Sequence, residues 1–165
     1  NSINFIDGID GLALSVTILF IFCYELLVNS FNPYKIFSVI LVSSLIPLYY
    51  FNFKKDNKVF LGDSGSLFLG GAVSIFTIYI LSNDYIIKPE FDLHKILFVI
   101  SILFYPIIDI IRIFFIRLIK GKSPFIADKN HIHHYIYNKT HSHKLTTIII
   151  VISSVCFFIF MQIIF

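Results

Sequence analysis

Residues 145–165 read LTTIIIVISSVCFFIFMQIIF, and none of these 21 side chains is charged. A helix that crosses a lipid bilayer needs about 20 mostly apolar residues. Four further stretches approach that length, and they are Leu12–Val28, Ile36–Phe53, Ser66–Leu81 and Ile96–Ile119. The sequence therefore predicts an all-α integral membrane protein with about five transmembrane helices, arranged as one multi-pass domain over residues 1–165.

Composition agrees with a membrane domain and excludes several soluble classes. The chain is 57% hydrophobic and 14% charged, whereas soluble domains carry about 25% charged residues. Its mean hydropathy is +0.85, which excludes a disordered chain. The net charge of +3 is too small to indicate a nucleic-acid partner. Cys23 and Cys156 both lie in apolar runs and are expected to be buried, so no disulfide scaffold is predicted.

Positive charge is unevenly shared among the loops. Lys54–Gly65 and Lys120–Lys144, with Arg117 at the edge of the latter, hold nine lysines and arginines, against three in the two other loops. Basic loops remain in the cytoplasm, so these loops and Asn1–Gly11 are predicted to face it. The chain begins at Asn1 and has one methionine, Met161. We therefore expect it to be the later part of a longer protein.

The first polar motif, NSINFIDGIDGLA, precedes the first predicted span. Asn1, Asn4, Asp7 and Asp10 recur every three residues, so on a helix they would share a broad face. Gly8 and Gly11 follow the two aspartates, where they permit tight turns or close approach of a ligand. A capped and solvated helix edge is the alternative, but four polar groups in register beside a membrane span favour a functional site.

The second motif, LGDSGS at residues 61–66, opens the third predicted span. An aspartate there can cap the helix, and a helix N-terminus also attracts phosphate. We interpret Asp63 as functional. The small residues Gly62, Ser66, Gly70 and Ser74 recur every four positions and predict a helix-packing face.

The third motif surrounds the last loop. Asp109 and Arg112 are three residues apart in an apolar helix, so they could form a structural pair or serve function. Five of the six histidines follow, at positions 131, 133, 134, 141 and 143, near Asp128 and Lys129. A zinc site would be expected to include a cysteine motif or an HExxH pattern, and neither pattern occurs around these histidines. Binding of an anion by the histidines and lysines is the better interpretation.

Together these motifs indicate metal-assisted phosphoryl transfer at one face of the membrane. Carboxylate and amide oxygens without thiolates suit a hard cation, Mg²⁺ or Mn²⁺. Phosphoryl transfer needs a metal, a phosphate cradle and charge stabilisation. The residues therefore point to a phosphorylated donor in the cytoplasm and an acceptor in the membrane.

The three motifs also resemble those of a known family, in the family's order. NSINFIDGIDGLA resembles the N-x-x-N-x-x-D-G-x-D-G-L-A segment of the polyprenyl-phosphate N-acetylhexosamine-1-phosphate transferases, which form glycosyltransferase family 4. VFLGDSGSLFLGG resembles their G-D-x-G-S-x-x-L-G segment, and Pro106 through GKSPFIADKNHIHHYIY resembles their third region. Since residues 130–135 read NHIHHY rather than containing P-I-H-H-H-F-E, the chain is similar to the N-acetylglucosamine branch rather than the phospho-MurNAc-pentapeptide branch.

This resemblance implies a reaction. Such enzymes are bacterial inner-membrane proteins with ten or eleven helices, and their catalytic loops face the cytoplasm. They move an N-acetylhexosamine 1-phosphate from a UDP-sugar to undecaprenyl phosphate and release UMP, which starts cell-surface polysaccharides such as O-antigen. A homodimer is one expected assembly. An aspartate-rich motif of the family precedes the segment seen here, so we expect the 165 residues alone to be inactive.

The resemblance also implies roles for individual residues. Asn4 and Asp63 match positions that hold Mg²⁺, and Asp7 matches a carboxylate near the metal. Asp10 matches a position that contacts the uracil side of the nucleotide, and Arg117 is a candidate for diphosphate contact. His131, His133 and His134 match the segment that meets phosphate and sugar. The catalytic set predicted on this basis is Asp7, Asp63, His131, His133 and His134.

Three other functions stay open on the sequence. A transporter or channel would use Asp109 and Arg112 as a polar path, although the polar residues concentrate at one face rather than at mid-membrane. A polyprenyl diphosphate phosphatase would share the histidines and arginines. A non-catalytic membrane scaffold would not need three polar motifs on one side.

Overall fold

The chain folds into helices joined by turns. A computed structural model describes residues 2–27, 32–82, 92–121, 123 and 130–164, and all regular structure among them is helical. The helices are α1 (Ser2–Ile6), α2 (Leu12–Leu27), α3 (Lys35–Asn52), α4 (Gly62–Ser82), α5 (Asp92–Ile102), α6 (Phe104–Ile119), α7 (Ile132–Thr140) and α8 (His143–Ile164). The all-α prediction is confirmed.

Fewer helices qualify as membrane spans than the sequence predicted. By length and apolar composition, α3, α4 and α8 could each cross a bilayer. Helices α5 and α6 pass the same test only as a pair, bent by 78° at their junction, which would make a fourth span. Residues Leu12–Leu26 of α2 are apolar but form a shorter helix. The described residues therefore contain three or four candidate spans beside the shorter apolar helix α2, where the sequence predicted about five.

The break between α5 and α6 corrects the prediction of one continuous span over Ile96–Ile119. Leu103 lies between the two helices with φ −88° and ψ 17°. Pro106 is the third residue of α6, and a proline has no N–H to donate to the carbonyl four residues earlier. Its ring also clashes with that carbonyl, which here belongs to Ile102, the last residue of α5. The helix therefore ends at Ile102 and restarts in a new direction.

Aromatic packing joins α2, α3 and α4 at the end remote from the polar motifs. The ring of Tyr24 lies 4.7 Å from that of Phe76, and Tyr34 lies 5.2 Å from Tyr79. The Tyr24 hydroxyl donates a hydrogen bond of 2.6 Å to Asn32. These contacts place residues 32–34 of the first predicted loop at the far side of the bundle, as the alternation of spans requires.

Two smaller expectations about the apolar helices have different outcomes. Cys23 is buried as predicted, but Cys156 is exposed on α8, because its side of that helix has no neighbour among the described residues. Glu25, for which the sequence suggests no partner, accepts a 2.8 Å hydrogen bond from Asn32 Nδ2.

Candidate functional site

The first motif is a short helix followed by a turn rather than one helical face. Helix α1 ends at Ile6, and the Asp7 N–H donates to the Asn4 carbonyl at 3.2 Å. The predicted common face of Asn4, Asp7 and Asp10 is therefore wrong, because the helix stops before both aspartates. Gly11 adopts φ +71°, a conformation that residues with a Cβ rarely adopt. A Cβ at Gly11 would also lie 2.3 Å from the Phe53 ring.

Asn52 holds this turn in place. Its Oδ1 accepts a 2.6 Å hydrogen bond from the Gly11 N–H, and its Nδ2 donates to the Val59 carbonyl at 2.8 Å. The side chain is buried at the end of α3. Asn52 thus joins residues 7–11 to the chain after α3, a role that the sequence analysis missed. The available signal was an amide at the end of an otherwise apolar helix.

Asp10 is bound by side chains from two other parts of the chain. Its carboxylate Oδ2 lies 2.5 Å from Lys58 Nζ. Its N–H donates to His143 Nδ1 at 3.2 Å, and its carbonyl accepts a 2.8 Å hydrogen bond from Thr147. The first motif, the second loop and the start of α8 therefore meet at one end of the bundle, in agreement with the predicted sidedness.

Asn4 and Asp63 are in direct contact. The Asn4 Nδ2 donates to Asp63 Oδ1 at 3.0 Å and to Ser66 Oγ at 2.8 Å. Asp63 lies in the first turn of α4, and Ser66 is fully buried one turn later. Gly70, a turn further on, packs near Ile3. Ser66 and Gly70 therefore pack against α1 as predicted for this face, whereas Gly62 and Ser74 are exposed. The structure thus brings together the two residues that the sequence assigned to a metal.

Asp7 lies in an unfavourable environment for a carboxylate. Burial, then the negative charges of Asp63 and Asp10, raise the pKa of Asp7 from 3.8 to about 6. Three acidic side chains from two motifs therefore share one region, and the charges of Asp63 and Asp10 add to the effect of burial in disfavouring ionisation of Asp7. Such a region favours a cation that neutralises part of the negative charge.

The histidines belong to a helix rather than to a loop. Residues 132–140 form α7 within the segment predicted as the fourth loop, and His131 precedes its first turn with φ −63° and ψ 150°. The rings of His131 and His133 are stacked, 5.3 Å apart, and those of His133 and His134 are 4.3 Å apart. A Cβ on Gly8 would lie 2.9 Å from His133 Nε2. The absence of a side chain at Gly8 therefore lets the first motif approach the histidines.

His133 is neutral at physiological pH. It is fully buried, and burial together with the nearby His134 lowers its pKa from 6.5 to about 3. Its Nδ1 lies 3.0 Å from the Tyr105 hydroxyl, while its buried Nε2 has no hydrogen-bond partner among the described residues. The expected binding of an anion by charged histidines therefore cannot apply to His133, which can offer a hydrogen bond but not a positive charge.

Asp109 and Arg112 do not form the pair that the sequence suggested. Asp109 is fully buried and lies 2.6 Å from His131 Nδ1, while Arg112 is exposed and donates to the Asn130 carbonyl at 2.6 Å. Their spacing of three would allow contact, but both Asp109 oxygens bind the start of α7 and Arg112 binds the Asn130 carbonyl. Arg117 is buried on the face of α6 that carries Asp109, about 12 Å further along the helix axis.

We call the assembled group the polar cluster, and it comprises Asn4, Asp7, Asp63, His131, His133 and His134. Asp10 adjoins it through the turn, and Arg117 lies further along α6. Asn1, Asp128 and Lys129, which the sequence also singled out, are outside the described residues. Within the described ranges, no three His, Cys, Asp or Glu side chains are grouped so that they alone could hold a metal.

An apolar cavity lies apart from the polar cluster. It has a volume of about 390 Å³ and is lined by Ser15, Ile18, Leu19, Phe22, Ile46, Tyr49 and Val151. Its walls come from α2, α3 and α8 and include no member of the polar cluster. This cavity is therefore not the place where a charged nucleotide would meet the acidic residues.

Comparison with known proteins identifies the family. The sequence profile described as glycosyl transferase family 4 matches residues 1–81, which contain the first two motifs. The chain is 33% identical to the decaprenyl-phosphate N-acetylglucosaminephosphotransferase of Mycobacterium leprae (strain TN), over 91% of this chain and 41% of that protein. The chain belongs to glycosyl transferase family 4.

Two further relatives of this family 4 chain carry related names. It is 34% identical to the probable undecaprenyl-phosphate N-acetylglucosaminyl 1-phosphate transferase of Bacillus subtilis (strain 168), over 91% of this chain and 40% of that protein. It is 32% identical to the undecaprenyl-phosphate alpha-N-acetylglucosaminyl 1-phosphate transferase of Escherichia coli (strain K12), over 82% and 37%. The chain thus spans about 40% of the length of the curated relatives it matches. No solved structure matches it.

Proposed function

We propose that the protein containing this chain transfers N-acetylglucosamine 1-phosphate, or a related N-acetylhexosamine 1-phosphate, from a UDP-sugar to undecaprenyl phosphate and releases UMP. The observation that carries the proposal is the contact between Asn4 and Asp63, which are 59 positions apart in the chain and 3.0 Å apart in space. It unites two polar motifs beside Asp7 and the histidines. The names of the relatives supply the substrate class.

The oxygen atoms of the polar cluster suit Mg²⁺. Asn4 and Asp63 offer an amide and a carboxylate, and Mg²⁺ is usually held by one or two such groups plus water and substrate phosphates. Burial, then the negative charges of Asp63 and Asp10, raise the pKa of Asp7, and a bound cation would offset part of that negative charge. Asn4 and Asp63 would hold the ion, which when bound would offset negative charge on the donor diphosphate.

The remaining residues would position the UDP-sugar donor. His131 and His134 lie at the start of α7, next to the first motif, and would contact the phosphate and sugar. His133, being neutral, would donate or accept one hydrogen bond without adding charge. Asp10 already binds Lys58, so contact with the uracil side of a nucleotide would use the carboxylate atom that Lys58 leaves available. Arg117 stays a candidate for diphosphate contact.

The reaction we propose is direct displacement. An oxygen of the lipid phosphate attacks the β-phosphorus of the UDP-sugar, and the bond between that phosphorus and the UMP oxygen breaks. Phosphoryl transfer of this kind depends on alignment and charge stabilisation. A route through an aspartyl-phosphate is the alternative, and Asp7 is the carboxylate that would form it.

Location and assembly follow from the same reading. We propose that the chain lies in a bacterial inner membrane with the polar cluster on the cytoplasmic side, since Lys58 and Lys144 belong to the basic loops that meet there. The bilayer supplies the polyprenyl acceptor. The homodimer, and the inactivity of the 165 residues alone, stay predictions.

The first test would measure UMP release by membranes that contain the full-length gene product. The assay would supply Mg²⁺, undecaprenyl phosphate and each of several UDP-amino sugars. We expect release that needs both lipid and metal, and the preferred donor would name the sugar. Inorganic phosphate released without any UDP-sugar would favour a phosphatase instead. If a protein shown to be present and folded released no UMP, a transporter or a membrane scaffold would become the better interpretation.

A matched pair of variants would test the polar cluster. Asp63→Ala should abolish UMP release while the protein stays in the membrane on an immunoblot, because Asp63 contacts Asn4 at the centre of the cluster. Asp56→Ala removes an exposed aspartate nearby and should leave release unchanged. Equal losses in both variants would contradict the assignment, and loss of the Asp63→Ala protein itself would indicate a structural role.

A further inference from the structure

Asp109 makes two short hydrogen bonds to the start of α7. Its Oδ2 lies 2.6 Å from His131 Nδ1, and its Oδ1 accepts a 2.7 Å hydrogen bond from the Ile132 N–H. The side chain is fully buried in the middle of α6. A buried carboxylate is costly unless its oxygens are hydrogen-bonded, and here each oxygen has a partner. Both partners belong to the segment that carries the histidines.

The ring of His131 is fixed from several sides. It stacks on His133 with an interplanar angle of 11°, and its centroid lies 6.1 Å from that of Phe5 in α1. Next to it, Arg112 holds the Asn130 carbonyl at 2.6 Å. The segment from Asn130 to Ile132 is therefore attached to α6 by three hydrogen bonds, and the imidazole has little freedom to rotate.

The contact with Asp109 also selects the tautomer of His131. An ionised carboxylate can only accept a hydrogen bond, so a neutral imidazole bound to one through Nδ1 carries its proton on Nδ1 and its lone pair on Nε2. No hydrogen bond of Nε2 occurs within the described part of the chain. A carboxylate that binds one nitrogen of a histidine in this way orients the ring and defines what the other nitrogen can bind.

We propose that Asp109 is a positioning residue that holds His131 with Nδ1 protonated and presents Nε2 to the phosphate or sugar of the donor. The proposal rests on the proposed function, since it names the residue that prepares one of the substrate-contacting histidines. Asp109 itself touches no substrate. It acts from α6, through the Nδ1 atom of the His131 ring.

A purely structural role for Asp109 makes different predictions. In that case Asp109 would matter only because it accepts a hydrogen bond from the N–H of Ile132, the first residue of α7. Proline has no N–H and is tolerated at that helix position, and the ψ of 150° at His131 suits a residue before proline. Ile132→Pro therefore removes this hydrogen bond and keeps the bond to His131. Asp109→Asn does the reverse, because its amide can still accept from Ile132 but places an N–H₂ group against Nδ1.

The test is a double-mutant cycle on UMP release in full-length protein. Asp109→Asn should lower kcat on the order of 100-fold, a typical loss for a residue that orients a histidine. In a His131→Asn background, which has no Nε2, the same change should cost less than about 3-fold because the residues act as a unit. Ile132→Pro should stay within about 3-fold of the parent. Equal losses from Asp109→Asn in both backgrounds, or a larger loss from Ile132→Pro, would overturn the proposal.

A second readout does not depend on turnover. In protein labelled with ¹⁵N-histidine, the His131 signals, assigned by their absence in His131→Asn, should show a protonated Nδ1 in the parent and a protonated Nε2 in Asp109→Asn. An unchanged tautomer would refute the positioning role even if activity fell. If the parent protein released no UMP with any donor, the proposed function would fail, while this measurement would still decide whether Asp109 sets the tautomer.

Discussion

Asn52 is the residue whose replacement should affect the polar cluster most selectively from outside it. The change to consider is Asn52→Leu, which keeps a side chain of similar size and removes both hydrogen bonds. Asn52 is only 5% exposed, and the Gly11 N–H that it accepts at 2.6 Å is buried. The variant would leave that N–H without a partner, whereas the Val59 carbonyl belongs to a residue that is 43% exposed and can bind water instead.

The expected energetic cost follows from this difference. A buried donor left without a partner costs about 1–3 kcal/mol, so we take about 2 kcal/mol for Gly11 and little for Val59. Every 1.4 kcal/mol is about a factor of ten in an equilibrium constant. The turn at residues 7–11 should therefore open about 30-fold more often, while helices α2, α4 and α8 keep their packing.

Hydrogen exchange measured by mass spectrometry in detergent would test this directly. Exchange at residues 7–11 should accelerate about 30-fold, and UMP release should fall because Asp7 belongs to that turn. Thr17→Val is the matched control. It removes a buried hydroxyl that donates to Ala13 O at 2.9 Å, a carbonyl that the helix itself also satisfies. If Asn52→Leu changed exchange in the turn less than about 3-fold in a folded protein, the role assigned to Asn52 would be wrong.

Two further predictions concern the same turn. The pKa of Asp7 is raised from 3.8 to about 6, so its contribution to stability is present below about pH 4 and is lost as the pH rises through about 6. In metal-free detergent, Asp7→Asn should therefore melt at a higher temperature than the parent near pH 7 and gain nothing near pH 4; equal shifts at both pH values would contradict the raised pKa. Gly11→Ala should be destabilising by about 1–2 kcal/mol or more, because of φ +71° and the Phe53 ring. Gly71→Ala on α4, where a Cβ meets no atom within 4 Å, should be neutral or stabilising in the same melting experiment, and a reversed order would show that the turn relaxes freely.

The fold class could be predicted from the sequence because long apolar runs have few alternatives in lipid. What failed was the continuity of individual helices. Pro106 breaks a run that counts as one span by hydropathy alone, since a proline adds to apolar length while removing a backbone donor. Likewise α7 lies in a segment rich in histidine and lysine, where hydropathy predicts only a loop. The start of that helix is bound by Asp109 and Tyr105 of α6, which are 22 to 28 positions away in the sequence.

The candidate site was predictable as a set of motifs but not as a set of contacts. The resemblance placed Asn4 and Asp63 at one ion, and the structure brings the two side chains into contact; their shared function stays a prediction. The partner of Asp109 was not predictable in this way. Sequence spacing favoured Arg112, three residues away, whereas the folded chain brings His131 from 22 residues away. Asn52 was missed because a single amide in an apolar helix does not by itself indicate a specific hydrogen-bonding role.

The bend between α5 and α6 also bears on the shape of the surrounding bilayer. At 1.5 Å per residue, the 11 residues of α5 and the 16 of α6 measure about 17 and 24 Å, each less than the hydrocarbon thickness of about 30 Å. With 78° between them, one helix lies nearly flat when the other stands upright, so their lengths do not add across the membrane. A helix shorter than the hydrocarbon layer is accommodated by local thinning of the bilayer. We therefore expect the bilayer to be thinnest beside the helix that carries Asp109.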